Sequence, residues 1–271
     1  NSGTPLDATA DSGNYASSGD LQGYWRNDND TTWTDRANTG VASFDGTNDY
    51  ISLGTTYSYT NNTFSAWIKP EANSSADRRV IDATDANDDG LLIYVRGDSN
   101  KIQYSVNGSG LQSASTYNGQ WVHIVGTYDG STQKLYINGS LDQSTSTSQT
   151  ISTSTNAIIG ARSFTSQTTP FKGLMGNVNI FNTALSASEV TELYAIDKRS
   201  SISGHSKFSS CVGSWLMGAG SGDTTSTIQD QTSENNDATV SGASLVGYND
   251  GTVSGSPASI VLTEGLTSGR D

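Results

Sequence analysis

Residues 120–139, QWVHIVGTYDGSTQKLYING, decide the fold. From Gln120 to Tyr128 aromatic and β-branched residues dominate, Asp129-Gly130 offers a tight turn, residues 134–137 return, and Asn138-Gly139 turns again. Asp-Gly and Asn-Gly accept the positive φ angles that two-residue hairpin loops require, so this stretch predicts successive antiparallel strands. Working outward, residues 63–69 place Phe64, Ala66 and Ile68 on one face and Ser65, Trp67 and Lys69 on the other, the period-two pattern of a half-buried strand. Residues 90–96 and 101–106 predict a second hairpin over 97–100, and 157–160 and 171–181 add further strands. Over 185–194 the period changes: Ser186 and Glu189 form a capping box, and Leu185, Val190 and Leu193 share a helical face. The expectation is an all-β, antiparallel two-sheet β-sandwich of jelly-roll type, with one short C-terminal helix and an extra β-rich tail.

Composition bounds the rest. The 271 residues suit one large β domain plus a remainder. Residues 1–20 hold little to bury and read as a flexible N-terminal arm, 21–196 as the sandwich domain, and 197–210 as a linker. A partial repeat follows. Leu21-Gln-Gly-Tyr-Trp25, with Asp35 after it, is echoed by Cys211-Val-Gly-Ser-Trp215, with Asp230 after it, so residues 211–271 read as a second jelly roll that opens and stops. Such a segment is expected to pack on the first domain or to lend strands to a neighbouring chain. Cys211 is the single cysteine, which excludes an intrachain disulfide and predicts a small buried side chain. A net charge of −13, with no basic stripe, argues against nucleic acid as a partner. No apolar run approaches the roughly 20 residues of a membrane helix, so no membrane insertion is expected.

Four stretches carry a family resemblance: residues 42–51 (ASFDGTNDYI), 64–70 (FSAWIKP), 120–139, and 171–189 ending in NTALSASE. In that order the region 21–194 resembles the laminin G-like jelly rolls of the concanavalin A-like lectin and glucanase superfamily. The tail, with Trp215-Leu-Met-Gly and the closing Glu264-Gly-Leu-Thr-Ser-Gly-Arg-Asp271, is similar to repeated jelly-roll segments in structural proteins of marine tailed bacteriophages. The resemblance implies a sandwich whose loops carry recognition.

Catalysis has little to stand on. Glucanases on this fold set carboxylates on alternate residues of one strand, about 5–5.5 Å apart, to flank one glycosidic bond. Here the five glutamates Glu71, Glu189, Glu192, Glu234 and Glu264 among 27 acidic residues fall in predicted loops, the helix or the tail. His123 and His205 have no nucleophile motif beside them, so no enzyme activity is expected. Calcium takes clustered oxygen ligands, and two clusters offer them: Asp45, Asn48 and Asp49, and Asp85, Asn87 and Asp89. The second opens like an EF-hand loop but places Arg96 where Glu belongs, so only a looser calcium site is expected there; ordinary turn chemistry is the alternative reading of both clusters. For a glycan, aromatic platforms are needed, and Tyr57, Tyr59, Trp67 and Phe164 are the candidates, three on loops and Trp67 on the outer side of its strand. The chain is therefore expected to be a non-enzymatic, surface-displayed binding or decorating module. Its expected setting is extracellular or on a virion surface, as a phage fibre or capsid decoration, in a homo-oligomer or virion assembly, recognising a glycan such as host-surface polysaccharide or a partner protein. The rival readings are an accessory or catalytic domain of an extracellular polysaccharide-degrading enzyme, and a structural spacer without ligand.

Overall fold

The computed structural model describes residues 40–71, 76–85, 87–151, 156–162 and 168–246. The strands are β1 (Val41–Asp45), β2 (Tyr50–Ser52), β3 (Asn62–Pro70), β4 (Arg78–Thr84), β5 (Gly90–Val95), β6 (Lys101–Val106), β7 (Ser109–Thr116), β8 (Val122–Tyr128), β9 (Thr132–Ile137), β10 (Ser140–Ser146), β11 (Ile158–Ile159) and β12 (Lys172–Phe181). Helix α1 (Ala187–Tyr194) follows, then β13 (Cys211–Trp215), β14 (Thr227–Ile228), β15 (Ala238–Ser241) and β16 (Ser244–Val246). All pairings are antiparallel, in two sheets of eight strands. Sheet A runs β10-β9-β8-β3-β12-β1-β16, with β13 also on β12; sheet B runs β14-β15-β2-β11-β4-β5-β6-β7.

The sequence signals act locally as read. Asn138 and Gly139 take φ values of 50° and 77°, the turn that joins β9 to β10. Ser186 and Glu189 satisfy each other's backbone N–H groups in a complete capping box, so α1 starts where the chain leaves β12. Phe64, Ala66 and Ile68 face inward with Tyr104, Tyr128, Leu135 and Val178 in one core between the sheets. Packing there is tight enough that a Cβ on Gly126 would sit 2.5 Å from the Tyr104 ring.

The described part of the tail packs on the first domain, one of the two arrangements expected for it. Residues 211–246 join the first sandwich: β13 pairs with the far half of β12, β16 with β1, and β15 with β2. The physical reason is that a segment this short cannot enclose a core, whereas open edges of β12, β1 and β2 supply unpaired backbone groups. Trp215 is fully buried in the shared core, and Asp230 organises the loop beyond it, accepting backbone N–H groups from Ser214, Thr232 and Asn236. The expected linker is also packed, because Ile202 is buried beneath α1 and His205 receives the Lys207 N–H. The expected arm at 1–20, and the first copy of the repeat at 21–35, lie outside the described residues.

Candidate functional site

The outer face of sheet A is built in two parts. Toward its β9 side, Val190 and Leu193 of α1 close over Val125, Tyr136 and Phe181, with Leu185, Ile202 and Cys211, in a second small core. Beyond that roof runs a strip of aromatic side chains. Alternation along β3 sends Trp67 outward, the register sets it opposite His123 on β8, and continuing that register sets Lys69 beside Trp121. Tyr194, the last residue of α1, lays its ring on both: 5.5 Å from Trp67 at 24° and 5.8 Å from His123 at 30°. Trp67 and His123 are themselves 5.0 Å apart. Gly139 permits this closeness, since a Cβ there would lie 2.9 Å from the Tyr194 ring.

A cation completes the strip. Lys198 Nζ lies 5.8 Å from the Trp67 ring centre and 5.5 Å from that of Trp121. The backbone beneath it is fixed: the Asn177 N–H donates to the Lys198 carbonyl at 2.8 Å, and the Asn177 amide donates to the Ser200 carbonyl at 2.8 Å. Both contacts exist because β12 bulges between Met175 and Val178, freeing Gly176 and Asn177 from the ladder with β3. Trp67 and Trp121 are half-buried, and Tyr194 is 38% exposed, one of two exposed large apolar side chains among the described residues.

His123 is the buried floor of this strip. Its Nε2 shares a 3.1 Å hydrogen bond with Ser65 Oγ, and its Nδ1 has no hydrogen-bond partner. Burial pushes its pKa down to about 3, so it is neutral near pH 7 and serves as a flat ring rather than a charge.

The other proposed residues lie elsewhere. Tyr57 is a correction: it was expected on an exposed rim, yet it is 1% exposed and meets Trp215 edge-on at 6.4 Å. The tail strand covers a loop that its own turn residues mark as open. Burial, then the Asp230 carboxylate, push the Tyr57 hydroxyl well above the ordinary tyrosine range. Tyr59 is half-buried against the core, where burial and then Glu234 raise its pKa. Phe164 lies outside the described residues.

The two acidic clusters are occupied with turns. Asp45 Oδ1 accepts the Thr47 N–H at 2.7 Å, Asp49 Oδ2 accepts the Asp45 N–H at 2.8 Å, and Asn48 is exposed. Asp85 Oδ1 accepts the N–H groups of Asn87 and Asp89. Among the described residues no three His, Cys, Asp or Glu side chains gather as a metal-binding group. The glutamates have local tasks: Glu189 caps α1, Glu192 accepts the Ser206 N–H at 2.7 Å, and Glu71 pairs with Lys172 at 3.1 Å.

On the outer face of sheet B, Arg79 of β4 lies 5.1 Å over the Tyr94 ring, 3.7 Å from Asp82 and 3.3 Å from Asp88, which also meets Arg162 at 3.0 Å. Arg79 and Asp82 are 5% and 0% exposed, so these charges are spent on one another.

Comparison with known proteins places the fold in a family. No curated protein matches the chain in sequence. Among solved structures, a putative carbohydrate binding protein from Bacteroides ovatus superposes with a TM-score of 0.60 at 15% identity, covering 78% of this chain; the chain spans 60% of that protein's length. A heptameric SAP-like pentraxin from Limulus polyphemus is similar at a TM-score of 0.49 and 20% identity, over 58% of this chain and 82% of that one. A carbohydrate-binding module, CBM40, of a Ruminococcus gnavus sialidase gives a TM-score of 0.46 and 16% identity, over 58% and 97% respectively. The Laminin G 3 family model matches residues 45–191, from the end of β1 into α1 and over more than half of the 271 residues, so the chain belongs to that family of the concanavalin A-like lectin/glucanases superfamily.

Proposed function

We propose that this chain is a non-catalytic glycan-binding module whose sugar lies on the strip formed by Trp67, Trp121, Tyr194 and Lys198. The observation that carries the reading is the strip itself. Partly exposed aromatic rings, held in place by a capped helix and a strand bulge and edged by a fixed ammonium group, offer a pyranose both an apolar platform and a hydrogen-bond donor. Pre-organisation spares the ordering cost that a loop site would incur. The Bacteroides ovatus protein that shares the fold is described as a putative carbohydrate binding protein, which agrees with this reading although fold alone does not determine ligand.

A shallow strip of this kind binds one sugar weakly, so the reading extends to a module displayed in several copies, on a virion or another extracellular surface, where avidity compensates. Solution mass and an image of the native assembly test that extension: a monomer on no larger particle contradicts it. The binding itself is tested by screening the full chain on a glycan array and repeating the hits with Trp121→Ala. Hits that weaken about tenfold or more support the site, given ~1–3 kcal/mol per stacked aromatic. Unchanged hits remove the site, and an array with no hits removes the function.

A further inference from the structure

We infer that the seat on β12 filled by Cys211–Asp230 has a second claimant in the same chain, Leu21–Asp35, and that the two exchange there, releasing the tail strands when the first copy of the repeat is seated. This stands independently of the glycan reading. β1 and β13 lie end to end along one edge of β12, with Ala42 opposite Met175 and Trp215 opposite Val178, while β3 holds the other edge. The seat therefore adjoins the point at which the chain enters β1, and the Gly40 N–H donates to the Gly218 carbonyl there at 3.2 Å. Leu21–Asp35 ends only a few residues before that point, so its tether gives it a high effective concentration at the seat.

What the seat requires is legible from the copy it holds. Trp215 is fully buried, meets Tyr57 edge-on, and donates from its indole N–H to the Asn236 carbonyl at 3.1 Å. Its ring folds back over Gly213, where a Cβ would lie 2.3 Å from it, so only glycine fits two residues before the tryptophan. Asp223 accepts the N–H groups of Gly218, Gly220 and Gln229, Thr224 Oγ1 accepts the Thr227 N–H at 3.0 Å, and Asp230 accepts the Ser214 N–H at 2.9 Å. The first copy carries the same anchors in the same order: Gly23 two residues before Trp25, Asp30-Thr31-Thr32 in place of Asp223-Thr224-Thr225, and Asp35 in place of Asp230. The echo thus falls on the residues that do the seating. The loop from tryptophan to the last aspartate is shorter in the first copy, a difference that loop closure tolerates at small cost. Two segments with one set of anchors and one seat make a two-state element, its populations set by their relative fit.

The single cysteine reports the exchange in the full chain. Cys211 is 6% exposed in the seated tail, and burial above all pushes its thiol up to about 12, so it reacts slowly with iodoacetamide until the tail leaves. A synthetic peptide of residues 21–39 should raise the labelling rate in step with its concentration, and the same peptide with Trp25→Ala should not. In the full chain, Trp25→Ala should slow labelling about threefold or more, because the competitor has lost its anchor. Trp215→Ala should speed labelling while the melt stays cooperative, since the first copy takes the seat, and Trp25→Ala/Trp215→Ala should lower the melting temperature by well over the sum of the single shifts. The peptide and Trp25→Ala results decide the matter even where Trp215→Ala fails to fold. Labelling indifferent to both, or strictly additive melting shifts, overturns the exchange. A labelling rate that climbs with protein concentration overturns the intrachain assignment and gives the seat to a second copy.

Discussion

The two outer faces of the sandwich solve the problem of a half-covered sheet in opposite ways. Sheet A covers its outer apolar side chains with α1 and the 195–210 segment, then leaves aromatic rings and a lysine partly in solvent at the roof's margin. Sheet B sets charges on its outer face and neutralises them there, with Arg79, Asp82, Asp88 and Arg162 in one network over Tyr94. The difference teaches which face is free to act outward. Partners already satisfied inside the protein stabilise it, whereas ring faces left half open have surface still to give.

The largest effect should come from breaking the sheet B network. Arg79→Met removes the guanidinium beside fully buried Asp82, and loss of one member of such a pair costs about 3–5 kcal/mol. Chemical denaturation should show that loss, while the folded fraction keeps its glycan affinity; a loss of affinity at full stability would make sheet B the binding face. A second break acts on the floor of sheet A. His123 has its pKa lowered to about 3 from the usual 6.5, so the unfolded chain takes up a proton that the native chain refuses. Its contribution to stability is complete above pH 6.5 and falls by about 1.4 kcal/mol per pH unit as pH drops toward 3. His123→Gln should therefore flatten the acid side of the stability profile relative to the parent, and identical slopes would contradict the neutral-ring assignment.

A third prediction separates binding from folding. Tyr194 is 38% exposed, so Tyr194→Ala should cost only about 1 kcal/mol of stability yet weaken sugar binding roughly tenfold. Stability loss without a change in affinity would make Tyr194 part of the roof alone. The smallest effect concerns calcium. With Asp45, Asp49 and Asp85 already accepting backbone N–H groups, millimolar calcium should leave the melting temperature unchanged. A rise abolished by Asp49→Asn or Asp85→Asn would place a metal site at that turn.

Local signals in the sequence carried most of the fold. The 120–139 hairpin, the alternation in β3 and the capping box at Ser186 depend on neighbours within a few residues, and each element forms where that pattern stands. Charged or hydroxyl-rich strands were not legible. β4 is buried along its whole length yet contains Arg78, Arg79 and Asp82, whose burial depends on partners that pattern alone does not reveal. The tail's strand partners were hidden for a related reason: β13, β15 and β16 pair with strands far away in sequence, so the echo of an opening strand left open whether the tail packs on the first domain or on a neighbouring chain. At the site, alternation placed Trp67 on the outer side of β3, and it stands there. Tyr194 and Lys198 escaped notice because only the docking of α1 and the bulge in β12 bring them to Trp67. Tyr57 misled in the opposite sense, its loop looking open until Trp215 arrives from the tail.

The most direct test compares one array-identified glycan against three proteins by calorimetry: the parent chain, Trp121→Ala/Tyr194→Ala, and Arg79→Met below its unfolding transition. The account predicts that the double variant loses at least about tenfold in affinity while Arg79→Met stays within about twofold of the parent. Retained affinity in the double variant, with loss in Arg79→Met, would contradict it and move the site to the opposite face.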